Sequence, residues 1–190
     1  ISTPKERLEH YLRGKKEVAI SDFIGYAKQK YIKVNSILEL INSLNDRVLL
    51  KNREGLIDTR EIGLTSSIVA DVIGEILQEV RNTTAVAIRD LECVTRFPRI
   101  NIPWDEWLIY SIITKWGQRL HVFTTSNQFK MSIPVVSYRA SVPTELIASI
   151  AQKYSDDRFS PPKNTVDNLD DLDDLIADYI DMDLDWSVDD

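Results

Sequence analysis

The residues able to do chemistry in this chain are few and far apart. Its two histidines, His10 and His121, and its single cysteine, Cys93, fall in different stretches, and no HxxxH, CxxC or glycine-rich phosphate loop joins them. Cys93 has no histidine near it in sequence and sits among apolar residues, so it reads as a small core residue and not as a nucleophile. His121 alternates with Leu120 and Val122, the pattern of a strand residue turned outward. The spacing Asp181-Met182-Asp183-Leu184-Asp185 begins like a calcium loop. Trp186 then stands where that loop needs glycine, and its twelfth position would fall beyond Asp190. No catalytic residue, metal ligand or cofactor is expected.

What remains is the chemistry of charge. Lys28, Lys30 and Lys33 cluster just ahead of a helical stretch whose outward positions include Asn35, Ser36, Glu39 and Asn42. Arg47, Lys51 and Arg53 flank a turn that follows it. Lysine and arginine neutralise phosphates, and asparagine and lysine match base edges. Lys28, Lys30, Lys33, Asn35, Ser36, Asn42, Arg47, Lys51 and Arg53 are therefore the expected contacts to double-stranded DNA. The plain alternative is a solvated helix face.

The opposite charge collects at the other end. Residues 164–190 hold eleven aspartates and no lysine or arginine, whereas residues 1–163 balance to +4, giving the net −7 of the whole. Such a like-charge block marks a solvated or partner-seeking tail. Leu169, Leu172, Leu175, Ile176, Tyr179 and Ile180 recur near a period of 3.6 and would share one helix face. Leu172, Leu175, Tyr179 and Trp186 are the expected contacts to a protein partner. The tail has three readings: a docking helix, a segment that folds back on the basic first unit and competes with nucleic acid, or a solubilising end.

Elements must exist to position these groups. Thr3-Pro4-Lys5-Glu6 is a capping box with a proline start and opens a helix over 4–13. A short strand at 17–20 follows, then a helix capped by Ser21, a helix over 34–45, and a hairpin of 47–51 and 56–59 around Asn52-Arg53-Glu54-Gly55. This is the order of a winged helix. It recurs with a long helix over 65–81, a β-prone 84–88, a brief helix at 89–95, a helix over 104–116 ending at Gly117, and strands at 119–125 and 129–138. Pro134 argues for an edge position for the last strand. A helix over 143–154 closes the body.

In the second unit Asp105 and Glu106 open the helix and would repel phosphates, while Trp104, Trp107 and Trp116 favour core or protein contact, with Trp107 and Tyr110 reaching the surface. The expected fold is α+β and mostly helical: a winged-helix-like unit over 1–64, a second over 65–155, a linker over 156–163 and the acidic tail over 164–190.

A winged-helix unit followed by the aspartate-rich NLDDLDDLIADYIDMDLDWSVDD resembles the delta subunit of Gram-positive bacterial RNA polymerase. The resemblance covers architecture and tail composition and implies no site residue; a second winged unit departs from it. No apolar run approaches the roughly 20 residues of a membrane span, no signal peptide opens the chain, and one cysteine fits a reducing compartment, so a cytoplasmic or nucleoid-associated protein is expected. Ile1 in place of Met points to a trimmed terminus or a piece of a longer protein. The leading expectation is a non-enzymatic nucleic-acid-associated protein, with DNA on the first unit and protein assembly through the second unit and tail. The alternative is a pure protein-interaction module, and a third reading is a non-catalytic domain of a larger enzyme.

Overall fold

The computed structural model describes residues 2–33 and 36–155. Asn35 and the tail residues Leu172, Leu175, Tyr179 and Trp186, with the Asp181–Asp185 run, lie outside the described residues. The described residues form an α+β fold of six α-helices and two three-stranded antiparallel sheets.

The first half runs α1 (Pro4–Leu12), β1 (Glu17–Ala19), α2 (Ile20–Gln29), α3 (Ile37–Ser43), β2 (Val48–Asn52) and β3 (Gly55–Asp58). Thr3 Oγ1 accepts from the Glu6 N–H at 3.1 Å, so α1 begins at the expected capping box. Ser21 does not cap α2. The helix starts one residue earlier, at Ile20, whose N–H donates to the Glu54 carbonyl at 2.8 Å in the β2–β3 turn; the hairpin satisfies the helix end instead. The helix expected over 34–45 is described over Ile37–Ser43. The sheet order is β1-β3-β2, and a bulge between Leu50 and Asn52 shifts the register near the turn.

The second half repeats this arrangement with α4 (Ser66–Val80), β4 (Val86–Ala87), α5 (Glu106–Trp116), β5 (His121–Thr124), β6 (Pro134–Ser137) and the added α6 (Thr144–Lys153). Its sheet order is β4-β6-β5. The brief helix expected near 89–95 is a pair of 3-10 turns, Ile88–Asp90 and Glu92–Arg96. The proline argument for an edge strand fails: β6 is the central strand. Pro134 is tolerated because it is the first residue of that strand, where a missing N–H costs little. Gly117 does close α5, donating to the Ile113 carbonyl at 2.8 Å, but at φ −89° it is not a left-handed cap. Glycine is needed there for space, since a Cβ would stand 2.8 Å from that same carbonyl oxygen.

One core runs through both halves. Leu8, Phe23 and Ile41 share a cluster with Ile76, Trp107, Tyr110 and Phe129. Alternate residues of the first hairpin, Leu49 and Ile57, pack on the other side against Leu108 and Ile112. α5 is thus buried all round, from Trp107 to Ile113, and its seven consecutive enclosed residues explain its lack of a polar face. This overturns the expectation that Trp107 and Tyr110 reach the surface: they are 1% and 5% exposed. α6 covers the second sheet through Ile150 and is tied down by Lys153 and Tyr154, which both reach Asp90.

Candidate nucleic-acid interface

The turn after α2 is built on a left-handed residue that is not glycine. The Tyr31 N–H donates to the Lys28 carbonyl at 3.1 Å and the Ile32 N–H to the Ala27 carbonyl at 3.0 Å. This paired closure requires positive φ at the residue after the cap, and Tyr31 adopts φ 56°. Ile32 then folds into the core, 1% exposed, and completes the motif. The same geometry throws the flanking side chains outward. Lys28, Lys30 and Lys33 are exposed, and Tyr31 is 72% exposed between them. None of the three lysines is in an ion pair with a described residue.

Behind this turn lies an aromatic stack. The Tyr11 ring on α1 and the Tyr26 ring on α2 stack at 4.1 Å between centroids. Lys15 Nζ sits over Tyr11 at 4.1 Å and Lys30 Nζ over Tyr26 at 5.8 Å. Lys15 also donates to the Tyr11 carbonyl at 2.6 Å, capping the end of α1. Cation–π contact of this kind holds the ammonium groups near the ring faces while leaving them wet. Burial, and then the charge of Asp22, pushes the Tyr11 hydroxyl above its ordinary value, so it is a neutral donor at physiological pH.

The other expected contacts within the described residues are engaged elsewhere or locally. Ser36 is the N-cap of α3, its Oγ accepting from the Glu39 N–H at 3.4 Å. Asn42 turns away from solvent and donates to the Tyr110 hydroxyl at 3.1 Å on α5. Lys51 pairs with Glu17 at 2.7 Å across the first sheet. Arg53 leaves the hairpin tip for the interior: it donates to the Phe129 carbonyl and, at 2.9 Å, to the Ser132 carbonyl, and lies 5.4 Å from the Trp107 ring. The two hairpin ends therefore meet each other. Arg47 is exposed but lines a different groove of about 440 Å³ with Glu9, Arg13, Asp46, Asp58 and Arg60. That groove is charge-balanced. Two hydrogen bonds from Arg60 hold the Asp58 carboxyl below its usual range.

In the second half the carboxylates that open α5 are both used locally. Asp105 Oδ1 accepts from the Trp107 N–H at 2.7 Å as the helix cap, and burial raises its carboxyl above the usual range. Glu106 makes a two-pronged ion pair with Arg89 at 2.9 and 2.6 Å. Two contributors lay beyond sequence reasoning. Lys115 donates to the Leu44 and Asn45 carbonyls at 3.2 Å, closing α3 from the other half, and burial lowers its ammonium pKa. Lys15 is placed by a ring stack that spacing along the sequence does not show.

The chemistry of a nucleophile is suppressed at Cys93. The residue is fully enclosed, and burial, then the Glu79 carboxylate, pushes its thiol up to about 12. Glu79 itself accepts from the Glu92 and Cys93 N–H groups at 2.9 and 2.8 Å. Among the described residues, no group of three or more His, Cys, Asp or Glu side chains is placed to hold a metal ion, and no helix is long and apolar enough to cross a membrane. No family model, curated protein or solved structure matches the chain.

Proposed function

We propose that this chain is a non-enzymatic, nucleic-acid-associated protein of tandem winged-helix organisation, gripping the phosphate backbone through Lys28, Lys30 and Lys33. The observation that carries the reading is that these three exposed lysines gather at one turn, with no carboxylate of the described residues paired to any of them. The winged-helix part rests on element order and on the two sheet orders, β1-β3-β2 and β4-β6-β5. Base reading by a helix set in the major groove is not part of the proposal. α3 spends Ile37 and Ile41 on the core and Asn42 on Tyr110, and α5 has no free face. Affinity should be electrostatic and largely indifferent to sequence.

Anisotropy of labelled duplex DNA at low and moderate salt tests this, with residues 1–190 and 1–163 side by side. Two to three phosphate contacts give a log–log salt slope of about −2 to −3. Tighter binding by the shorter chain would assign the acidic tail the role of competitor. Absence of binding by both at low salt, to the duplex and to a single strand of the same sequence, ends the proposal. A second reading, a pure protein-interaction module, is favoured by the way α3, α5 and the hairpin tips already serve as packing blocks against one another. It expects no DNA affinity, and loss of a partner when Leu175, Tyr179 or Trp186 is changed.

A further inference from the structure

Tyr31 occupies a position that its own chemistry disfavours. The other described residues at positive φ, Gly14 and Gly63, are glycines, which bear no Cβ penalty there. A β-carbon in the left-handed region crowds the following carbonyl, and the residues that visit it routinely are Gly, Asn and Asp. The turn itself needs only the backbone. Both of its hydrogen bonds are main-chain, and the apolar contact that completes it is made by Ile32. Among the described residues, nothing in the packing asks for an aromatic ring at residue 31. The ring is 72% exposed and is placed outward by the strained φ, with Lys30 before it and Lys33 two residues after. Backbone strain at an exposed side chain is a pointer to what that side chain contacts.

We infer that Tyr31 is a stacking platform for an unpaired base, so that the nucleic acid held by this surface is single-stranded. This rests on the reading of the lysine cluster as a phosphate grip. The chemistry is complementary: lysines track the backbone, and a free ring face accepts any base with little regard to sequence. A duplex offers the same phosphates but keeps its base faces closed against each other. The stacked Tyr11–Tyr26 pair has its faces occupied already, by one another and by Lys15 and Lys30, and so supplies charge and not a platform.

The test uses the full chain and three labelled probes at low salt: a single strand, the blunt duplex of that sequence, and an abasic strand with the same number of phosphates. The single strand should bind about tenfold more tightly than the abasic strand, the effect of one base–aromatic stack. Tyr31→Phe should keep that preference. Tyr31→Gly should lose it while leaving affinity for the abasic strand unchanged. The glycine variant suits the turn, so misfolding will not obscure the result. Equal affinity for the natural and abasic strands overturns the inference but leaves the phosphate grip standing. Loss of the preference in Tyr31→Phe as well as Tyr31→Gly overturns stacking as its cause. Binding to none of the probes removes the grip and the platform together.

Discussion

The Leu50 N–H donates to Ser111 Oγ at 3.0 Å, with both residues closed to solvent. Leu50 is on β2, an edge of the first sheet, and Ser111 is on α5, from the other half of the chain. An edge strand presents unpaired N–H groups that must find partners or invite another strand. Here a helix covers the edge and one hydroxyl satisfies the group at its centre. Ser111→Ala would leave the Leu50 N–H buried and unpaired. The expected cost is about 1–3 kcal/mol, read as a lower urea midpoint at unchanged m-value. An unchanged midpoint would show that this bond does not hold the halves together.

Arg53 and Lys30 carry the same charge but should separate cleanly by mutation. Arg53 is a structural cation that ties one hairpin tip to the carbonyls of the other. Arg53→Ala should destabilise by about 2 kcal/mol, from lost charge-assisted hydrogen bonds and lost contact with Trp107. It should leave the salt slope of nucleic-acid binding untouched. Lys30→Glu and Lys33→Glu should do the reverse, with midpoints shifted by no more than about 0.5 kcal/mol and a shallower slope. Urea titration and anisotropy on the same three variants decide it. A loss of affinity confined to Arg53→Ala would move the interface to the hairpins.

Cys93 should behave as an inert thiol with a pH signature. Its pKa is raised from 9.0 to about 12 by burial and by Glu79, so the folded state keeps a proton that the unfolded chain gives up. An acid raised on folding contributes stability that is whole below pH 9 and is lost as pH climbs toward 12. Glu79 works in the opposite window. Burial acts to raise its pKa, but the N–H groups of Glu92 and Cys93 outweigh this and lower it, so its contribution fails as pH falls through the carboxylate range. Native chain should therefore resist a thiol reagent at pH 8 until denaturant is added. Midpoints should be highest in the neutral range and fall on either side. Rapid labelling of the native thiol would show that the Glu92–Arg96 turn opens.

Local signals in the sequence proved readable, and distant ones did not. The Thr3 capping box, Asp105 at the head of α5 and the order of elements all follow from neighbours a few residues apart. The all-round burial of α5 departs from the sequence expectation for Trp107 and Tyr110, because one apolar stripe does not show that a second layer from the other half covers the remaining face. Arg53 and Asn42 could not be placed, because their partners Ser132 and Tyr110 lie 79 and 68 residues away. A charged residue beside a turn looks the same in sequence whether it meets solvent or a carbonyl. Pro134 misled because the rule against proline in a central strand exempts the first position.

The conformation of Tyr31 sets stability against binding in one residue. The turn hydrogen bonds of Lys28 and Ala27 depend on φ 56° at Tyr31 and on nothing in its ring. Replacing it with glycine removes the clash of a Cβ in the left-handed region, about 1 kcal/mol. Glycine also widens the unfolded ensemble, which takes back part of that gain. Tyr31→Gly should therefore raise the urea midpoint modestly, by the equivalent of about 0.5 kcal/mol, even as the exposed ring is lost. Tyr31→Ala keeps the Cβ and should give no gain. An alanine variant clearly less stable than the native chain would mean that the ring itself packs despite its 72% exposure, and a glycine variant less stable than the alanine one would mean that the left-handed φ carries no penalty.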